Sequence, residues 1–189
     1  MAVASGYARA PGELLNPDLA SLVSMASLFE FPNPVNEVSA RLVAGGTALL
    51  GLACLLLGQP WIAGLLAVEF LLRVAFGPRV DPLALLVTRV IVPRLGWAER
   101  LTAGPPKRFA QAIGAVTTVA ASALYLGGWS TAASGLIAML VVFATLESTM
   151  GLCVGCKVFA LLMRAGVIPD EVCAECADLS LRARRVGVS

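Results

Sequence analysis

Histidine is absent from this chain of 189 residues. That one absence removes the Ser-His-Asp triad, the Cys-His pair, the His-ligated haem and every imidazole zinc ligand. Charge is scarce as well: 14% of residues are Asp, Glu, Lys or Arg, against about a quarter in a soluble domain. A water-soluble globule is therefore excluded as the starting class. The formal net charge is only +2, so the overall balance gives no sign of a nucleic-acid partner and none is expected; the placement of the charges carries more. What the chain does have is apolar bulk, 58% of its residues, with a mean hydropathy of +0.85. That bulk is gathered into four stretches parted by Pro, Gly and charge.

Residues 1–36 mix Gly, Pro and Asn with one apolar run and lack the basic then apolar order of a signal peptide. They are read as an interfacial, partly flexible segment. A membrane domain spans 37–152, with spans at about 38–58, 61–76, 109–127 and 131–152, each near the roughly 20 residues needed to cross hydrocarbon. Asn36 is placed to cap the first span, with Glu37 in its first turn. The second span is short and extends through interfacial Trp61 and Arg73. Residues 81–97 open with Asp81-Pro82 and carry Arg89 and Arg94 among Leu, Val and Ile. They are too charged to span and too apolar to float, which points to an interfacial amphipathic helix bent near Pro93. Gly104-Pro105-Pro106 reads as a rigid elbow before the third span. The expected fold class is an all-α integral membrane protein: four transmembrane helices in two hairpins, this interfacial helix, and a short C-terminal helix starting near Ala174. Residues 153–189 form a cysteine-bearing, basic tail.

Of the 14 basic residues, Arg9 and Arg41 lie on the N-terminal side, seven fall between Arg73 and Arg108, and five follow from Lys157. The tight turns at 58–60 and 127–130 carry none. The positive-inside rule then places both termini and the central loop in the cytoplasm.

Four of the five cysteines form Cys153-Val-Gly-Cys156 and Cys173-Ala-Glu-Cys176. Two short-spaced pairs suit a tetrahedral zinc site, each pair supplying two thiolates. An iron–sulfur cluster could use the same four ligands. The same pairs also suit thiol redox or sulfur relay, in which one sulfur attacks and its neighbour resolves. Cytoplasmic placement argues against permanent structural disulfides. Cys54, alone in the first span, reads as packing.

Glu69 lies deep in the second span and needs a partner; Arg73, four residues on, supplies an intramembrane ion pair or, alternatively, part of a proton or anion site. Glu147, near the end of the fourth span, is a candidate supporting acid. On an unbroken helix it would not share a face with Cys153, although Gly151 and Gly155 could break the helix and bring them together. Its bland role is a bond to Arg108, Lys107 or Arg41.

Four elements carry a resemblance: Asn33-Pro-Val-Asn-Glu37, Phe76-Gly-Pro-Arg79, Pro106-Lys-Arg-Phe-Ala110 and Gly151-Leu-Cys-Val-Gly-Cys156. Together, over about residues 31–178, they resemble a bacterial four-span membrane family described as a domain of unknown function. The Gly-x-Cys-x-Gly-Cys element is the most specific part. The resemblance implies an integral protein of the bacterial cytoplasmic membrane. It also implies association with thioredoxin-like and sulfurtransferase proteins, but carries no activity across. In layout alone the chain is similar to membrane thiol oxidoreductases of the disulfide-forming and vitamin-K-reductase type. It departs from them in the side of the membrane and in the position of the second cysteine pair.

The expected function is thus a membrane-embedded thiol redox or sulfur-relay protein working through Cys153, Cys156, Cys173 and Cys176 at the cytoplasmic face. The alternative is a non-enzymatic assembly or anchoring protein with those four cysteines on structural zinc. A small-anion transporter using Glu69 and Arg73 is the third alternative.

Overall fold

The computed structural model describes residues 33–96 and 100–173. The fold is all-α and belongs to a membrane protein: four helices are long and apolar enough to cross a bilayer. In chain order these are α1 (Glu37–Leu57), α2 (Trp61–Phe76), α5 (Gly104–Leu126) and α6 (Ser130–Met150). Between α2 and α5 lie the short helices α3 (Pro82–Leu86) and α4 (Val92–Leu95); after α6 comes α7 (Val154–Arg164). The C-terminal helix expected near Ala174 falls outside the described residues.

The helix ends follow from capping chemistry. Asn36 is extended, and its side-chain oxygen accepts from Val38 N–H at 2.9 Å, which starts α1. Asp81 does the same for Ala84 N–H at 2.9 Å, with Pro82 in the first turn of α3. Helix α2 continues as a 3-10 turn over Gly77–Arg79, giving 19 residues from Trp61 and making up the length that 61–76 lacks for a crossing.

Three boundaries differ from the sequence reading. The residues read as an elbow, Gly104-Pro105-Pro106, are the first turn of α5. A first turn has no intrahelical acceptor for its N–H groups, so proline costs nothing there; Gly104 N–H instead donates to Asn33 Oδ1 at 3.0 Å. The fourth span ends two residues early, at Met150. The segment read as one interfacial helix over 81–97, bent near Pro93, is helical without a gap from Pro82 to Leu95, α3 passing through a π turn over Val87–Ile91 into α4, with Trp97 outside the described residues. Pro93 explains the π turn. It cannot donate and its ring crowds the preceding turn, and the wider register, in which Val92 N–H reaches Val87 O, gives it room.

The four long helices form a ring in which α1 packs on α2 and α6, and α5 packs on α2 and α6. Leu66, Phe70, Ala115 and Leu140 fill the middle, and Cys54, Ile62, Ala63, Ala121 and Ile137 fill the end near the two tight turns. The α3–α4 segment is held against α1 through Val43, Ala84 and Val87. Gly46 makes this approach possible, because a Cβ there would sit 2.8 Å from Leu83 Cδ1. A two-residue ribbon, β1 (Val35–Asn36) antiparallel to β2 (Leu101–Thr102), ties the entry of α1 to the entry of α5. No sequence pattern marks strands this short.

Candidate functional site

The site lies where α6 ends and α7 begins. Gly151 takes the left-handed conformation (φ 67°) that terminates α6, and its N–H closes on Glu147 O at 3.0 Å. The chain therefore does not run on as a straight helix. Cys153 is the extended N-cap residue of α7 and Cys156 falls in its first turn. Both sulfurs thus stand at the positive end of a helix dipole. Gly155 seats that end against α5: a Cβ there would lie 2.5 Å from Ala110 Cβ and 2.6 Å from Ala110 Cα. One helical turn further along α7, Phe159 is buried and meets the Phe109 ring at 5.6 Å between centroids.

This seating brings charge to the thiols. Lys107, one turn before Ala110 on α5, forms a largely buried ion pair with Glu147 of α6. Of the three basic partners open to Glu147, it is Lys107 that takes it. Arg41 goes elsewhere, donating to Ser148 O at 3.2 Å and Thr149 O at 2.6 Å, so that it satisfies the last carbonyls of α6. Cys153 and Cys156 are both free thiols. A hydrogen bond from Cys156 holds the Cys153 thiol below its ordinary range; Lys107 adds to this, while burial and Glu147 oppose it. The same hydrogen bond, with burial, pushes Cys156 far up. Within the pair Cys153 is thus the more acidic thiol and Cys156 the less acidic. Cys153 is buried at 8% exposure and Cys156 is half-buried.

Cys153 also lines a cavity of about 490 Å³ between α1, α2, α5 and α6. The walls are mostly apolar, among them Val43, Phe70, Leu140 and Ala144. Lys107 and Glu147 stand with Cys153 in the lining, as do Arg73 and Gln111. The Gln111 side-chain oxygen is buried with no hydrogen-bond partner.

Glu69 and Arg73 are 3.2 Å apart, both buried. Arg73 also meets Asp81 at 2.8 Å, bonds Thr47 Oγ1 at 3.3 Å, and lies 4.8 Å over the Phe70 ring. Asp81 therefore serves twice, as the cap of α3 and as an anchor to Arg73. Only its Asp-Pro context was a signal, and that signal spoke for the cap alone. Cys54 is buried and donates from Sγ to Gln59 O at 3.5 Å.

The second cysteine pair is only partly in view. Cys173 is buried and disulfide-bonded, and Cys176 lies outside the described residues. Among the described residues no group of three or more Cys, Asp or Glu side chains converges to hold a metal. A disulfide sulfur is no thiolate ligand, so four-thiolate zinc would require Cys173 to be reduced.

Residues 35–164 match the model of one protein family, described as Domain of unknown function (DUF4395). No curated protein matches this chain, and no solved structure does.

Proposed function

The chain belongs to the DUF4395 family, and from that premise we propose that it is a membrane-embedded thiol relay in which Cys153 is the nucleophile and Cys156 the resolving thiol. The observation that carries this reading is where the pair sits: two free thiols at the N-terminus of α7, with Cys153 in the cavity lining beside Lys107 and Glu147 and Cys156 half-buried in the first turn. The Cys153 thiolate attacks one sulfur of a disulfide; the S–S bond breaks and the second sulfur leaves as a thiolate that takes up a proton. Cys156 then gives up its proton and attacks Cys153 Sγ, releasing the bound sulfur as a thiol. The substrate has gained two electrons and the protein holds a Cys153–Cys156 disulfide. A soluble thioredoxin-like dithiol restores it by attacking Cys156 and expelling Cys153, the better leaving group because its thiol is the more acidic. A sulfurtransferase could be served by the same nucleophile: the Cys153 thiolate takes the outer sulfur of a persulfide and leaves the donor as a thiolate. Cys173 and Cys176 would pass electrons or sulfur onward.

The charge asymmetry of the loops supports placing this face in the cytoplasm of a bacterial inner membrane. The test is to treat the reduced protein in detergent with 2-hydroxyethyl disulfide and map the products by mass spectrometry. The expected products are a Cys153–Cys156 disulfide in the wild type and a stable adduct on Cys153 in Cys156→Ser. An unreactive Cys153, or adducts that prefer Cys156, would overturn the reading. Stoichiometric zinc bound by all four cysteines would replace it with the anchoring alternative.

A further inference from the structure

The cavity beside Cys153 extends to exposed side chains, most of them at lipid depth. Four of its lining residues are exposed, Ile113 on α5, Met139 and Phe143 on α6, and Val158 on α7, at 39%, 39%, 37% and 38%. The first three belong to helices long and apolar enough to span the bilayer, and Val158 to the helix that carries the thiol pair. Ile113 stands nine residues beyond Gly104, or about 13 Å along α5 at 1.5 Å per residue. Three of the four exposed lining side chains thus lie on spanning segments, where the surroundings are hydrocarbon rather than water. Inside, the walls are mostly apolar; the polar groups are the thiol with Lys107 and Glu147, Arg73, a few hydroxyls such as Ser39 and Thr47, and the unpartnered Gln111 oxygen. The volume is that of a small-molecule site. A hydrated substrate entering this way would lose its water and find few polar partners.

We propose that the disulfide reduced at Cys153 is a small lipid-soluble one, which enters the cavity sideways from the bilayer between α5 and α6. Its apolar body lies against Phe70, Leu140 and Ala144, and one sulfur meets Cys153. The buried Gln111 oxygen is the acceptor for the donor group of the occupant, including the S–H of the thiol it becomes. Cys156, half-buried at the other side of the pair, is left to the soluble dithiol. This rests on the relay reading and adds its substrate class. The redox step is the exchange already balanced above, with no further oxidant.

The experiment compares three methanethiosulfonates on the reduced protein in detergent: the benzyl, sulfonatoethyl and trimethylammonioethyl esters. Each transfers its thioalkyl group to Cys153 and releases methanesulfinate, and each rate is divided by that with free mercaptoethanol. The benzyl ester is expected to exceed both charged ones by about tenfold or more, the factor supplied by burying roughly two methylenes of apolar surface. Among the exposed lining residues, Ile113→Trp slows the benzyl ester and Phe143→Ala speeds it, and both leave the charged esters unchanged. Equal normalised rates for the three, or variants that move all three alike, overturn the lateral route while the relay stands. If Cys153 fails to react with 2-hydroxyethyl disulfide, the relay itself falls.

Discussion

At the scale of single residues, Cys153 sits between opposed influences. Cys156 and Lys107 favour its thiolate, while burial and Glu147 disfavour it. The two charged neighbours can be removed separately, with opposite results. An acid held below its ordinary range ionises at lower pH, so alkylation of Cys153 by iodoacetamide turns on earlier in a pH series than alkylation of a free thiol. Lys107→Met is expected to move that midpoint up and Glu147→Gln to move it further down, followed in Cys156-intact protein by mass spectrometry. Shifts of the same sign in both variants would show that the ion pair acts through packing rather than charge. The Cys-x-x-Cys spacing is legible in the sequence, and so is the proximity of Glu69 and Arg73, because i and i+4 are neighbours on any helix. For Glu147 the sequence narrows the partner to Arg108, Lys107 or Arg41 but does not choose, since 40 residues separate it from Lys107 and only the packing of α5 on α6 selects that one. Asp81 shows the same limit: a cap is local, but its bond to Arg73 depends on how α3 folds back.

At the scale of elements, α7 owes its position to two contacts on α5, Gly155 against Ala110 and Phe159 against Phe109. Phe159→Ala removes the only α7 side chain that is fully buried among the described residues. It should cost about 3 kcal/mol of α7 docking, or roughly a hundredfold in the local opening equilibrium. The readout is amide hydrogen exchange over 154–164, with exchange in α1 and α2 as the unchanged reference. Exchange that stays slow would mean that Gly155 alone seats the helix. The long spans are legible because a run of about 20 apolar residues admits few other structures. The α5 start is not, and neither is the π turn that accommodates Pro93. A proline reads as a stop in one dimension, whereas in three it is welcome in a first turn and tolerated beside a π turn.

At the scale of the whole molecule, the bundle is polarised along its axis. One end is closed by two tight turns; the other gathers the ribbon, the α3–α4 segment, α7 and the thiol pair. Cysteines introduced at Gly128 and at Thr102 should therefore label from opposite sides of intact cells with a membrane-impermeant maleimide, Gly128 from outside and Thr102 only after permeabilisation. The reverse result would invert the proposed orientation and move the thiol pair out of the cytoplasm. The polarity also has a geometric effect on anything joined to the chain. The chain enters the described bundle at Asn33, bonded to the first residue of α5, and leaves it beyond α7, so both exits share the face that bears Cys156. A soluble dithiol domain tethered through either exit would meet that sulfur at an effective concentration on the order of millimolar. Its second-order encounter would become nearly intramolecular, without a single added contact.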